Sequence, residues 1–235
     1  MNEKSMILCS FLFWKNINFI CTIIFLWYII IMVKYMMEDY ILGKLISEEV
    51  KFDGVRFNVV QKVYQNEDGK TYVRDCVNPG DAAIILPIDE NGNVVFIKQL
   101  REAIGEICLE LPAGMVDPGE EPIDTARREL EEETGIIAET VEHLISVYPS
   151  SGYTSEKIHI YYAKDFKEGK QKLDSTEHIE SIERIPLDRC LELVKENYFK
   201  HASQNIAIMN YYFKYVINSG GKNEWFCITF KNDRC

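Results

Sequence analysis

The segment from Gly114 to Ile136, GMVDPGEEPIDTARRELEEETGI, constrains this chain more tightly than any other. Pro122 suits the first turn of a helix, whose N–H groups are unbonded anyway, and Gly135 suits the left-handed residue that ends one. Ile123, Ala126 and Leu130 recur at three and four positions, which predicts a helix over 122–134 with one narrow apolar stripe. Glu129, Glu132 and Glu133 fall at i, i+3 and i+4, so their carboxylates converge on one side of it.

A bare acidic run usually means a solvated helix face. Three like charges this close repel, however, unless a cation gathers them. Arg128, one turn before Glu132, can pair with that carboxylate and hold it. Oxygen ligands with no Cys or His nearby favour Mg²⁺ or Mn²⁺ over zinc or copper, and Mg²⁺ typically shares a few carboxylates with substrate phosphates. The residues alone therefore point to a metal-dependent enzyme acting on a phosphate or pyrophosphate.

The charge balance agrees. Lys+Arg 26 against Asp+Glu 37 leaves a net charge of -11, which excludes the nucleic-acid backbone as the main partner. An acidic body takes an anionic substrate only through intervening metal ions. Hydrophobic residues at 47% and charged ones at 27% describe a globular protein, and 235 residues can bury a sizeable core. The seven cysteines are scattered with no Cys-x-x-Cys pair, so neither a zinc knuckle nor a disulfide framework is indicated, and reduced intracellular thiols are expected.

Ile17 to Val33, INFICTIIFLWYIIIMV, is uncharged and largely apolar between Lys15 and Lys34, the short end of a bilayer span. Two readings of residues 1–35 stand: a membrane anchor, or a stretch upstream of a true start at Met36 or Met37. Beyond it, Val55 to Val63 and Thr71 to Val77 read as a hairpin, as do Ala82 to Ile88 and Val94 to Gln99. Cys108 to Leu111, Ile137 to Tyr148, Lys157 to Ala163 and Glu180 to Ile185 read as further strands. Leu187 to Glu196 and Ala202 to Ile217 read as helices, and Trp225 to Phe230 as an ambiguous last strand. Strands and helices mixed in this order predict an α+β domain.

The segment 114–136 also reproduces the Nudix box, Gly-x5-Glu-x7-Arg-Glu-U-x-Glu-Glu-x-Gly-U with U apolar, at all nine specified positions, and the chain resembles that family. The resemblance implies an α/β/α sandwich around a mixed sheet. It implies Glu129, Glu132 and Glu133 as metal ligands, with the Ala113 carbonyl as another. Arg128 would orient the glutamates with Glu120 as its second partner, and Gly114 and Gly135 would permit the turns at either end. The implied reaction is attack by water on a nucleoside diphosphate linked to another moiety, with Mg²⁺ as cofactor and Mn²⁺ able to replace it.

Leu109-Glu110-Leu111-Pro112-Ala113-Gly114 and Gln99-Leu100-Arg101 resemble the ADP-ribose pyrophosphatase branch, which splits ADP-ribose to AMP and ribose 5-phosphate. This adds Arg101, Glu110 and Glu156 as substrate-binding residues. It adds Glu177 as the general base beside Glu132 and Arg128 in the catalytic set, with Glu180 as the second choice. The branch's loop proline would fall at Ser151, a departure that leaves other nucleoside diphosphate derivatives open. A non-catalytic nucleotide sensor is the reading from outside enzymology, and the complete glutamate set argues against it.

The resemblance further implies a homodimer through a small N-terminal sheet, where Tyr64 or Phe57 could stack the adenine. The expected organisation is the apolar segment 1–35, a dimerising hairpin over 36–81, a Nudix domain over 82–218 and a tail over 219–235, in the cytoplasm unless 1–35 anchors it. His143, His159, His178 and His201 have no ligand spacing and read as ordinary strand, loop or helix residues.

Overall fold

A computed structural model describes residues 43–173 and 177–217, together with Trp27. The expectations for 1–35, Trp225 to Phe230 and the tail 219–235 lie outside the described residues. No helix among the described residues is long and apolar enough to cross a membrane. The described residues form two compact units: 43–51 with Val60–Asp75, and Phe52–Val59 with 76–173 and 177–217.

β1 (Lys44–Asp53), β2 (Asn58–Gln65) and β3 (Thr71–Asn78) form one three-stranded sheet, in that order. Connections this short make both pairs antiparallel. The expected hairpin is β2–β3, turning where Gly69, at φ +80, donates to the Asn66 carbonyl at 3.0 Å. β1 was not expected. All ten of its residues are exposed, so it has no buried side to impose an alternating pattern on KLISEEVKFD.

In the second unit, β4 (Ala82–Pro87) lies between β7 (Ala113–Met115) and β9 (Ile158–Glu168), and β8 (Ile136–Val147) pairs outside β9. β4 and β9 are parallel and the other two pairs antiparallel, so the sheet is mixed. A second sheet, ordered β10 (Ile179–Pro186), β5 (Asn93–Arg101) and β6 (Glu106–Glu110), is antiparallel. The helices are α1 (Pro122–Thr134), α2 (Leu187–Lys195) and α3 (Ala202–Tyr211).

Alternation along β4 and β9 sends side chains to two separate cores. Ala83 and Ile85 join Tyr161, Ala126 and Leu130 under α1. Ile84 and Leu86 join Ile160, Tyr162, Leu193 and Ile208 under α2 and α3. This is the expected α/β/α sandwich. Leu130 is wholly buried, worth about 2 kcal/mol of apolar transfer. The helix expected over 202–217 keeps α geometry only to Tyr211 and finishes as a π turn, Tyr212–Ile217, with Tyr211 and Tyr215 both packed on Tyr162. β7 was also unforeseen, being too short to show a period.

Candidate functional site

α1 stops where the sequence requires it. Gly135 takes the left-handed conformation (φ 76) and donates its N–H to the Glu131 carbonyl at 2.8 Å. The last carbonyls of a helix need partners. Here the chain leaving β9 supplies them: Lys172 N–H donates to Glu132 O at 2.8 Å, and Gln171 Nε2 donates to Glu133 O at 2.6 Å. That strap leads on to Glu177.

Oxygens of Glu129, Glu133 and Glu177 lie within 4.8 Å of one another. Glu129 and Glu133 are only 6% and 3% exposed. Burial, and then the nearby Glu129 charge, push the Glu133 carboxyl up to about 9, although the Ala113 N–H donates to it at 3.0 Å. Burial also raises Glu129, with Arg128 acting in the opposite direction. Of the expected ligands, Glu129 and Glu133 converge, with Glu177, expected as the base, beside them; Glu132 is turned to Arg128 at 3.0 Å. At Ala113 the N–H is bonded to the Glu133 carboxylate at 3.0 Å.

Arg128 holds three acids together. Its Nε and Nη2 donate to the two oxygens of Glu120 at 3.1 and 3.2 Å, and its Nη1 donates to Glu129 at 2.7 Å as well as to Glu132. Nη2 also reaches the Met115 carbonyl at 3.3 Å, tying α1 to β7. Glu120 accepts a further bond from Thr125 Oγ1 at 2.6 Å, and its carboxyl is held down at about 2, above all by Arg128. Gly114 is glycine for lack of room: the Glu129 carboxylate occupies the place of a Cβ.

The two acidic and basic residues expected to bind substrate are bound to each other. Arg101 Nε donates to both oxygens of Glu110, at 2.8 and 3.0 Å, and Nη2 to Oε2 at 2.5 Å. Glu110 is 2% exposed. This pair raises the Arg101 pKa, and it shows that Glu110 is not a surface strand acid. Glu156 has Asp81 as its charged neighbour, and burial with that charge raises its carboxyl. Glu180 is exposed on β10. Tyr64 stacks on Tyr72 at 5.4 Å within its own sheet, while Phe57 is 43% exposed.

Sequence reasoning missed the strap at Gln171 and Lys172, and the contact of Cys108, Glu110 and His201. No local signal exists for either. The first consists largely of backbone bonds, and the second brings His201 from far along the chain to two residues of β6.

An all-oxygen set of buried carboxylates suits a hard divalent ion such as Mg²⁺. The NUDIX domain family profile matches residues 78–204. The chain is 32% identical over 167 residues to an ADP-ribose pyrophosphatase of Bacillus subtilis, covering 70% of this chain and 90% of that protein. It is 37% identical over 175 residues to a methanol dehydrogenase activator of Bacillus methanolicus, covering 71% and 94%. A solved ADP compounds hydrolase shares the fold, with a TM-score of 0.68 at 24% identity over 77% of this chain and 98% of that one. With the box glutamates gathered on α1 and held by Arg128, this chain belongs to the Nudix hydrolase family.

Proposed function

We propose that the chain is a Mg²⁺-dependent pyrophosphohydrolase that uses one water to cleave ADP-ribose to AMP and ribose 5-phosphate. The observation that carries this reading is the convergence of Glu129, Glu133 and Glu177 within 4.8 Å, two of them buried. Their mutual repulsion is relieved by a divalent cation, and Mn²⁺ would serve as Mg²⁺ does. Bound there, the ion supplies Lewis-acid polarisation of a phosphoryl oxygen and neutralises charge on the departing phosphate.

The chain's own residues do the rest. Glu177 accepts the proton of the attacking water, and Arg128 keeps Glu129 and Glu132 in place. Glu110, itself buried, aims the guanidinium of Arg101 at a substrate phosphate or the terminal ribose. Glu156 lines the substrate side. The β1–β3 sheet pairs two copies in a homodimer, for which the exposed Leu45, Ile46, Val50 and Phe52 supply apolar surface. The protein acts in the cytoplasm.

Support for the substrate comes from relatives named ADP-ribose pyrophosphatase at 32% and 34% identity. Ser151, standing where that branch carries a proline, favours a second reading, hydrolysis of a sugar nucleotide or dinucleotide. A panel of ADP-ribose, sugar nucleotides, dinucleotides and nucleoside triphosphates with Mg²⁺ separates them. ADP-ribose is expected to lead in kcat/KM and to give AMP and ribose 5-phosphate. If it trails another substrate by more than about tenfold, roughly 1.4 kcal/mol of transition-state binding, the first reading is wrong.

A further inference from the structure

Cys108 and Glu110 stand two apart on β6, so their side chains leave one face of that strand. His201, the residue that opens α3, meets them there. A thiol sulfur, a carboxylate oxygen and an imidazole nitrogen from these three lie within 4.8 Å of one another. His201 Nε2 is 3.3 Å from Glu110 Oε1. Two ligands each about 2.0 Å from a tetrahedral ion have about that separation.

The donor set differs in kind from the glutamate cluster. One sulfur, one nitrogen and one oxygen suit a borderline-soft ion rather than Mg²⁺. Cys108 and Glu110 are each 2% exposed, while the His201 side chain is 36% exposed and leaves a way in. Arg101 does not close the site. Its Nη2 sits on Glu110 Oε2 at 2.5 Å and its Nε on both oxygens, Oε1 at 2.8 Å, so the Oε1 that faces His201 keeps one lone pair. That lone pair can serve an ion while Arg101 stays on the carboxylate, the sort of hydrogen bond that fixes a ligating carboxylate.

A separate observation bears on the same edge of β6. Gln204, one turn after His201, donates Nε2 to the carbonyl of Leu109, the residue between Cys108 and Glu110, at 2.9 Å. Among the described residues its buried Oε1 has no hydrogen-bond partner. A buried acceptor in that state is costly, so the chain does not by itself satisfy this edge of β6.

We propose that Cys108, Glu110 and His201 form a second cation site, of the zinc class, separate from the Mg²⁺ site. On binding, the Cys108 S–H bond breaks, its proton leaves to solvent and a sulfur–metal bond forms. Because the thiol must give up its proton to bind, occupancy increases with pH.

Co²⁺ is the probe, titrated into the full chain at saturating Mg²⁺. One equivalent is expected to give a thiolate-to-cobalt charge-transfer band with the visible bands of a tetrahedral site, growing as pH rises. Cys108→Ser removes the charge-transfer band, and His201→Ala weakens Co²⁺ binding by about tenfold or more. Glu129→Gln leaves the band in place, because the glutamate site has no sulfur. No thiolate band in the wild-type chain overturns the proposal. So does a band that persists in Cys108→Ser, which would assign it to another of the seven cysteines. His201 is partly exposed, so its variant still decides the matter if Cys108→Ser fails to fold.

Discussion

Glu129 fills the space beside Gly114 that a side chain would need: a Cβ on Gly114 would lie 1.8 Å from Glu129 Oε1 and 2.1 Å from its Cδ. The backbone of Gly114 is not left-handed, so alanine is acceptable there in all respects except this contact. Gly114→Ala should therefore fold and drive the Glu129 carboxylate off its 2.7 Å bond to Arg128. Hydrolysis is expected to fall on the order of 10²-fold, with the far-UV spectrum unchanged and Mn²⁺ binding weakened. Near-normal kcat in a correctly folded Gly114→Ala would show that Glu129 has no catalytic placement to lose.

Glu133→Gln separates chemistry from folding. The charged form of Glu133 is disfavoured by burial and by Glu129, so its removal relieves repulsion in the metal-free protein. Turnover is expected to drop by about 10³-fold or more. In chelator, the variant should melt at or above the wild-type temperature. Mg²⁺ at about 100 times its Kd should stabilise the wild type by about 2.7 kcal/mol and the variant much less. Equal Mg²⁺ protection of both would remove Glu133 from the ligand set.

What could be read in advance follows the range of the interactions. The extent of α1 and its cap were legible because Pro122, Gly135 and the Ile123–Ala126–Leu130 stripe act within a few residues. The Arg128–Glu132 pair was legible for the same reason. Glu177 beside Glu129 and Glu133 was foreseen only through the family resemblance, as a base, because the spacing within α1 says nothing of a residue so much later in the chain. The Arg101–Glu110 pair crosses two antiparallel strands, and only the β5–β6 register, with Arg101 opposite Glu106, places them on one face. Nothing in the spacing of 101 and 110 announces that.

Glu120 makes folding sensitive to acid. Its carboxyl sits at about 2 rather than the usual 4.5, chiefly through Arg128. A lowered folded-state value stabilises the protein above the ordinary carboxylate range, and that stabilisation is lost as pH falls from about 4.5 to about 2. Arg128 is about a third exposed, so solvent screens the pair and the loss is on the order of 2 kcal/mol. Urea unfolding across that window should show it in the wild type, superimposed on the other acids. Glu120→Gln should be less stable at neutral pH and flatter below it. A variant with the wild-type slope would mean that Glu120 is not linked to folding.

Arg101 has a structural cost that any test of substrate binding must allow for. Removing it leaves Glu110 buried without its guanidinium partner, beside His201 and Cys108. Breaking one side of a buried pair costs about 3–5 kcal/mol, and the partial exposure of Arg101 places this case near 3. Arg101→Ala is thus expected to lose about that much stability in urea. Adding Glu110→Gln to it should recover a large part, because the unpaired charge has gone. Activity of the folded double variant then reports on substrate contact alone. If Arg101→Ala is as stable as the wild type, the pair does not contribute to holding the fold together.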